Sequence, residues 1–460
     1  MSGAPDLFLM HETQTGLTGS IAQFACNYRQ APDEAITIAK RGVIDAIGVM
    51  LCARQEPVVN HVRQMALAGN PQGRARVLLS ALHTQPAAAA MINATAAHAF
   101  AMDDVAWGCH PSAILMPSIF AQAEAIGATG ADALRAWIVG YEVLAELASR
   151  EPDPLHETGW HPSGLLMPVA VAAAICNLME LDTSTATHAL GIAASMTGGM
   201  AVNFGTQTKA FHAGRIASSG ITAVELARCG MTAATDALER ENGFLRTISP
   251  AGKADIAGGI ADTGGGLRLL TTQVNIKKYP LCYSTHRIVD AAASVAAKPG
   301  FSVDEIAGIA ITAGRLQANM AHYHRPVTAM QAKYSVEFAA VSGLVAQAAG
   351  FAQLDPGFIN SGLVQRLISI STIELDDSRG AEPGFCRADR VVVTLRSGQE
   401  LDSGDFQYAL GHAQDPLGSG QLRRKFMDCA VAGGVAADTA SSLYDQLEAL
   451  ETVPELNFMV

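Results

Sequence analysis

The longest apolar stretch of this chain reads GLLMPVAVAAAICNLMEL and spans residues 164–181. Its length approaches that of a membrane-spanning helix. Pro168, Asn177 and Glu180 interrupt the stretch, however, and alanine, valine and leucine dominate the rest, as is typical of a helix buried in a protein core. We therefore expect a core helix here, in a fold built from packed helices and without a membrane-spanning segment.

Similar segments lie on both sides of this stretch. Ala, Leu, Ile and Met recur at mixed spacings of three and four residues, separated by short breaks of Gly, Pro or Asp/Thr. This pattern predicts helices over residues 34–53, 87–101, 114–126, 130–149, 165–180, 183–196 and 212–230. Because small side chains allow helices to approach closely, we expect this part of the chain to form one compact all-helical domain.

Segments typical of β-strands occur only later in the chain. Residues 306–312 and 390–395 are runs of strand length that are rich in β-branched side chains. Residues 286–298 and 334–349 have the pattern of helices, and residues 416–450 return to helix. We predict a mainly α protein, with a large all-helical domain over residues 1–272 and 406–460 and an inserted smaller α+β lid domain over residues 273–405.

The composition excludes several classes of function. The 460 residues are 49% hydrophobic and 16% charged, which indicates two well-buried domains. The formal net charge is −12 and no basic run interrupts it, so nucleic acid is not expected as a partner. The eight cysteines are scattered without a CxxC pair, which favours a reduced cytoplasm and predicts no metal site.

Two copies of a short motif stand out from this apolar background. His110-Pro111-Ser112-Ala113 and His161-Pro162-Ser163-Gly164 each open a long apolar stretch, and Gly205-Thr206-Gln207-Thr208-Lys209 follows. Each His-Pro-Ser could simply start a helix, with Pro in the first turn and Ser as the cap. Together the three motifs place two imidazoles and an ammonium where helix N–H groups are free to meet an anion. We therefore expect a site for a small carboxylate.

Further motifs accompany these three along the chain. In order, the full set is Asp103-Asp104 before His110-Pro111-Ser112, Trp160-His161-Pro162-Ser163, Thr206-Gln207-Thr208-Lys209 with His212 and Gly214, Lys277-Lys278-Tyr279-Pro280, Cys282-Tyr283 with His286, and Tyr323 with Arg325-Pro326. Their order and spacing resemble the MmgE/PrpD family, which includes 2-methylcitrate dehydratase, cis-aconitate decarboxylase and iminodisuccinate epimerase. The resemblance covers nearly the whole chain. It implies a helical domain with an α+β lid, a site in the cleft between them, and a homodimer without metal or organic cofactor.

Members of this family remove a proton next to a carboxylate and then lose water, lose CO₂ or return the proton to the other face. The resemblance thus implies a cofactor-independent lyase, or as second choice an isomerase, acting on a small di- or tricarboxylic acid. Such chemistry needs fixed cations for the developing charge and histidines for proton transfer. The expected catalytic residues are His110, His161, Lys209, Lys277 and Tyr323. The expected substrate-binding residues are Asp104, Gln207, Cys282, His286 and Arg325.

Other polar residues near these motifs have plainer interpretations. His98 lies in an alanine-rich helical segment and is interpreted as a core histidine, and His212 as a residue that orients its surroundings. Asp103 and Asp104 either cap a loop or orient imidazoles. Tyr323 lies in a polar stretch that would equally suit an exposed loop. The sequence leaves open which histidine is the acid and which the base.

The chain departs from the family pattern at one position above all. Many members carry Asp-aromatic-Asp-Asp-Thr/Ser before the first His-Pro-Ser, whereas this chain has Ala101-Met102-Asp103-Asp104-Val105. The first carboxylate and the hydroxyl are both missing. The string over residues 280–286 is most similar to the epimerase-like and uncharacterised branches. A second hypothesis therefore remains, a divergent member that binds such an acid without turning it over.

Overall fold

The computed structural model describes residues 16–69, 71–78, 80–260, 266–380 and 385–456. Over these residues the protein is mainly helical, with one two-stranded ribbon and one four-stranded sheet. This confirms the predicted fold class.

The first part of the chain is a succession of helices with one short ribbon. The ribbon pairs β1 (Ala75–Arg76) with β2 (His83–Thr84) in antiparallel fashion. The helices are α1 (Leu17–Asn27), α2 (Asp33–Ala53), α3 (Pro57–Ala66), α4 (Pro86–His98), α5 (Pro111–Ile126), α6 (Gly130–Ser149), α7 (Pro162–Leu178), α8 (Thr183–Ala194), α9 (Gln207–Arg228), α10 (Phe244–Ile248) and α11 (Arg268–Thr272).

The structure shifts several predicted helix ends. Helices α5 and α7 begin three residues earlier than predicted, because Pro111 and Pro162 occupy the first helical position, where their missing N–H costs nothing. Helix α9 begins at Gln207 rather than 212, since the Thr206 hydroxyl accepts a hydrogen bond from the Thr208 N–H. Helices α1 and α3 were not predicted.

A second part of the chain has its own sheet. Its elements are α12 (His286–Ala296), β3 (Ile306–Gly314), α13 (Arg315–Met320), α14 (Ala329–Ala332), α15 (Val336–Ala346), α16 (Pro356–Ile359), α17 (Gly362–Ser369), β4 (Ser371–Asp376), β5 (Arg390–Leu395) and β6 (Glu400–Asp402). The sheet order is β4-β3-β5-β6, with β3 and β4 parallel and the other pairs antiparallel. Helices α12 and α15 pack on each other beside the sheet.

Besides a small cluster of Val49, Cys52, Met102 and Cys429, the described residues form two main hydrophobic cores. The larger one contains apolar side chains from Leu17 to Ile276, and α18 (Ser419–Ala432) and α19 (Ala437–Glu448) return to it. The smaller one runs from Tyr279 to Leu401. The chain passes from one core to the other next to Lys277, so residues from both cores can meet there.

Helix α7, the helix of the long apolar stretch, lies at the centre of the larger core. All its residues are buried, and α5, α6, α8 and α9 pack around it. This confirms the predicted core helix. Across the described parts of the chain, no helix combines the length and apolar character needed to cross a membrane.

Candidate active site

The two His-Pro-Ser motifs lie side by side. His110 and His161 each precede the first turn of their helix, and the His110 N–H donates to the Ser163 hydroxyl, 3.2 Å away. The two imidazole centroids are 6.0 Å apart, and both side chains are buried. The structure therefore joins in space two motifs that are separate in sequence.

A third imidazole, His98 at the end of α4, joins this pair through Asp103. The Asp103 carboxylate lies 2.9 Å from His98 Nδ1 and 2.8 Å from His110 Nδ1. Burial alone would raise the pKa of Asp103, but His98, His110 and Lys277 hold it well below its usual range. Because an ionised carboxylate only accepts hydrogen bonds, both imidazoles donate from Nδ1 and keep an unprotonated Nε2.

The Lys209 ammonium closes this network from the first turn of α9. Its Nζ donates to His98 Nε2, 2.8 Å away, and lies 5.3 Å from the Phe204 ring centroid. Burial, with the neighbouring Lys277, lowers the pKa of Lys209 to about 8. The side chain thus remains a cation at neutral pH, close to the point at which it loses its proton. His98 is buried as predicted, but its partners make it part of the site.

Lys277 supplies a second buried ammonium. Its Nζ donates to the carbonyl oxygen of Ala101, 2.8 Å away, and burial lowers its pKa. The adjacent Lys278 turns outward instead and lies 3.6 Å from an Asp290 oxygen. Two buried cations therefore flank the three imidazoles.

His161 has one nitrogen with no partner in the described protein. Its Nδ1 lies 3.1 Å from Nδ1 of His212, while its buried Nε2 makes no hydrogen bond. Burial and the charge of Lys209 hold the pKa of His161 well below its usual range. Burial of an unpaired polar nitrogen is costly unless a ligand or water satisfies it. This nitrogen is consequently available to a bound molecule.

His110, His161 and the two lysines line a partly open cavity of about 100 Å³ at the junction of the two cores. A larger cavity of about 600 Å³ adjoins it, and the two share lining residues such as His156 and Phe385. The larger core contributes Ala101, His110, His161, Phe204, Lys209 and Lys277 to the lining of the small cavity. The smaller core contributes Cys282, Tyr283, Ser284, Met320, Tyr334 and Phe385.

Five of the residues expected in the site therefore line this cavity: His110, His161, Lys209, Lys277 and Cys282. Tyr323 does not line it, although its ring lies close to Gly205, at the rim. The tyrosines that do line it are Tyr283 and the buried Tyr334. The Tyr323 N–H donates to the carbonyl oxygen of Tyr334, 3.0 Å away, which holds the two segments together. No sequence pattern distinguishes Tyr334, because its burial follows from the packing of the smaller core.

Four further expected residues lie elsewhere. Asp104 is fully buried and accepts hydrogen bonds from the N–H and hydroxyl of Ser112, so it anchors the start of α5 rather than facing the cavity. His286 is buried behind the lining, with Nε2 3.3 Å from the carbonyl oxygen of Leu281. Gln207 and Arg325 are both exposed at the surface.

Asp103 and His98 were not among the expected site residues. Asp103 was missed because two adjacent aspartates give no indication of which one faces the imidazoles. A sequence signal for His98 does exist, because it is the last residue of α4 and lies five residues before Asp103. A helix end followed by a short loop brings such residues together.

Comparison with known proteins identifies the family of the chain. The model of the MmgE/PrpD N-terminal domain matches residues 19–257, and that of the C-terminal domain matches residues 279–447. The chain belongs to the MmgE/PrpD family. This confirms the predicted family and, with it, the predicted class of enzyme, a lyase.

Three relatives of this MmgE/PrpD chain are cis-aconitate decarboxylases. The human protein is 28% identical over 456 residues, covering 93% of this chain and 90% of its own length. The mouse protein is 26% identical over 448 residues, covering 93% and 88%. The Aspergillus terreus protein is 27% identical over 297 residues, covering 60% of each chain.

Ala101, where the chain departs from the family pattern, lies on the cavity wall. Its backbone φ is 53°, a left-handed conformation that alanine rarely adopts and that aspartate adopts more readily. Its carbonyl oxygen accepts the hydrogen bond from Lys277. The cavity wall therefore carries an alanine at this position, whose backbone rather than its side chain binds Lys277.

Proposed function

We propose that the protein is a cofactor-independent lyase that decarboxylates a small unsaturated di- or tricarboxylic acid, with cis-aconitate as the first candidate. The observation that carries this proposal is the small cavity in which two buried ammonium groups lie beside imidazole nitrogens. Such a cavity suits an acid of only a few carbon atoms. The similarity to cis-aconitate decarboxylases supports the choice of substrate.

Lys209 and Lys277 take the role of carboxylate-binding cations in this proposal. When CO₂ leaves a carboxymethyl group next to a double bond, the electron pair of the broken bond forms a new double bond. The electrons of the old double bond then move to the carbon beside a second carboxylate. Cations that are already fixed in a water-poor site stabilise this charge without reorganising.

His161 is the group that delivers the proton to that carbon. Burial lowers the pKa of His161 and so keeps its imidazole neutral before a substrate binds. An anionic substrate favours the charged imidazolium, so a proton from water enters the site together with the substrate. His110, held by Asp103, orients the substrate on the other side of the cavity. Each turnover therefore consumes one proton and releases one molecule of CO₂.

The test is incubation of the pure protein in D₂O with citrate, 2-methylcitrate, cis-aconitate and aspartate-derived acids. We expect CO₂ release with deuterium incorporation into the product, and loss of both in His161→Gln. The matched control is His83→Gln, which changes an exposed imidazole. Binding of an acid without exchange or release would instead support a non-catalytic binding protein, and exchange without CO₂ release would support an epimerase or dehydratase.

We also propose that the enzyme is a cytoplasmic homodimer in which residues 273–405 act as a lid on residues 1–272 and 406–460. The separate cores of the two parts support the lid. All eight cysteines are without disulfides, which suits a reducing compartment. The family resemblance supports the dimer, and light scattering should give twice the mass of the chain.

A further inference from the structure

Three buried imidazoles lie close together beside the cavity. His98, His110 and His161 each offer a ring nitrogen, and these nitrogens all lie within 4.8 Å of one another. In a tetrahedral zinc site with Zn–N bonds of about 2.0–2.1 Å, the ligand nitrogens lie about 3.3 Å apart. Each ring would have to move by only about 1 Å to reach that geometry. The sequence spacing gives no hint of this group, because its members come from three different helix ends.

The groups behind the imidazoles suit a metal site as well. Nδ1 of His98 and Nδ1 of His110 are both held by the Asp103 carboxylate, and Nδ1 of His161 by His212. Metal-binding histidines typically have their second nitrogen held in this way, which fixes the ring and increases its basicity. Nε2 is then the nitrogen that each ring can offer to a ligand, and that of His161 is buried and unpaired.

We propose that these three imidazoles form a binding site for a divalent transition-metal ion such as Zn²⁺, and that the ion acts as a reversible inhibitor. Three neutral nitrogen ligands favour zinc, cobalt, nickel or copper over magnesium or calcium, which prefer oxygen. Metal binding at the site stands independently of the proposed function, whereas inhibition depends on it.

Inhibition follows from the position of Lys209. Its Nζ lies 2.8 Å from His98 Nε2, the same nitrogen that the metal would use. The ion and the ammonium therefore compete for one position, and the ion also occupies the free Nε2 of His161. A metal-loaded enzyme loses one carboxylate-binding cation and its proton carrier together.

The experiment is titration of the chelator-treated full-length protein with Co²⁺, followed by the visible d–d absorption of the bound ion, and then displacement by Zn²⁺. We expect one ion per chain. His98→Gln and His161→Gln should weaken binding by about 100-fold, since each removes a ligand. Lys209→Met should strengthen binding by about 10-fold, because it removes a competing positive charge.

Weaker Co²⁺ binding in the histidine variants and stronger binding in Lys209→Met would distinguish this site from non-specific metal binding at the protein surface. His83→Gln is the control and should leave the affinity unchanged, as it alters an exposed imidazole. Unchanged Co²⁺ spectra in both ligand variants, or no spectrum in the native protein, would overturn the site. If a ligand variant does not fold, weaker binding in Lys209→Met would still contradict the proposal.

Inhibition is measured separately from binding. Zn²⁺ should abolish turnover over the concentration range in which it displaces Co²⁺, and EDTA should restore turnover fully. Full activity of the Zn²⁺-saturated enzyme would overturn the inhibitory role. Because the Co²⁺ spectrum requires no substrate, a failure of the proposed decarboxylation leaves the binding result intact, and the two failures are distinguishable.

Discussion

The properties of Lys209 depend on the side chains packed around it. The buried ammonium has His98 as its hydrogen-bond partner and the Phe204 ring nearby, and its pKa is lowered to about 8. Lys209 is therefore charged at neutral pH but loses its proton at moderately alkaline pH. If Lys209 binds a substrate carboxylate as proposed, the activity should decrease at moderately alkaline pH.

We predict that Lys209→Ala lowers kcat/KM by about 100-fold with the fold intact, as expected when one preorganised charge donor is removed. In the native enzyme kcat/KM should fall as pH rises through about 8, since the ammonium loses its charge above its pKa. The control is Lys278→Ala, at a lysine that turns outward. Equal activities of the two variants would remove Lys209 from the site.

The second prediction concerns Ala101, which lines the cavity. Ala101→Asp, combined with Val105→Thr, should restore some conversion of 2-methylcitrate or increase that of cis-aconitate. The backbone conformation at residue 101 accepts aspartate, and the new carboxylate would lie near Lys277. The effect should be modest, because the surrounding residues are not shaped to hold the carboxylate. Loss of native activity in this variant would show that the natural substrate needs the space left by the methyl group.

Asp104 gives a prediction about stability. Burial, with the neighbouring Asp45, raises the pKa of Asp104 to about 8, whereas an unfolded aspartate ionises near pH 4. The folded state thus retains a proton that the unfolded state releases between about pH 4 and 8, so this residue reduces stability as pH rises through that window. Asp104→Asn should raise Tm by a few degrees at pH 8 and by nothing at pH 4. An equal rise of Tm at pH 4 and pH 8 would contradict the raised pKa of Asp104.

At the scale of the elements, the site depends on how closely α7 and α9 pack. His161 precedes α7, while Lys209 and His212 lie in the first two turns of α9. Gly220 of α9 lies directly against α7, where an added Cβ would be 2.5 Å from Val171 Cβ. The close approach of the two helices holds their N-terminal ends together at the cavity.

We predict that Gly220→Ala lowers the free energy of unfolding by about 1–3 kcal/mol, because the methyl group overpacks the contact between α7 and α9. Gly420→Ala is the matched control in α18, where an added Cβ meets no atom within 4 Å. That change should be neutral or slightly stabilising, since alanine is the better helix former. Chemical denaturation measures both, and similar effects of the two substitutions would contradict the packing argument.

At the scale of the whole molecule, the cavity lies between two independently packed cores. The larger core supplies the imidazoles and ammonium groups, and the smaller core covers them with residues such as Cys282 and Tyr334. The bound acid would be enclosed by both parts at once.

We predict that saturating citrate slows amide hydrogen exchange in residues 281–285 and 332–336, because these lid segments close over the ligand. Strand β6, at the edge of the same sheet and not part of the cavity lining, should exchange at an unchanged rate. Mass spectrometry of peptic fragments reads out both regions. Uniform slowing across the lid would indicate general stabilisation rather than closure.

The sequence by itself determined the helical class, the core helix α7, the family and the residue types of the site. Local patterns suffice for these, because apolar periodicity and proline in the first helical turn act within a few residues. Only the tertiary structure decided that Asp103 rather than Asp104 holds the imidazoles, that His98 meets Lys209, and that Tyr334 replaces Tyr323 on the cavity wall. His98 and Lys209 are 111 residues apart, and their contact arises from the packing of α4 on α9. Contacts of this kind depend on the three-dimensional fit of many side chains, which a single sequence does not display.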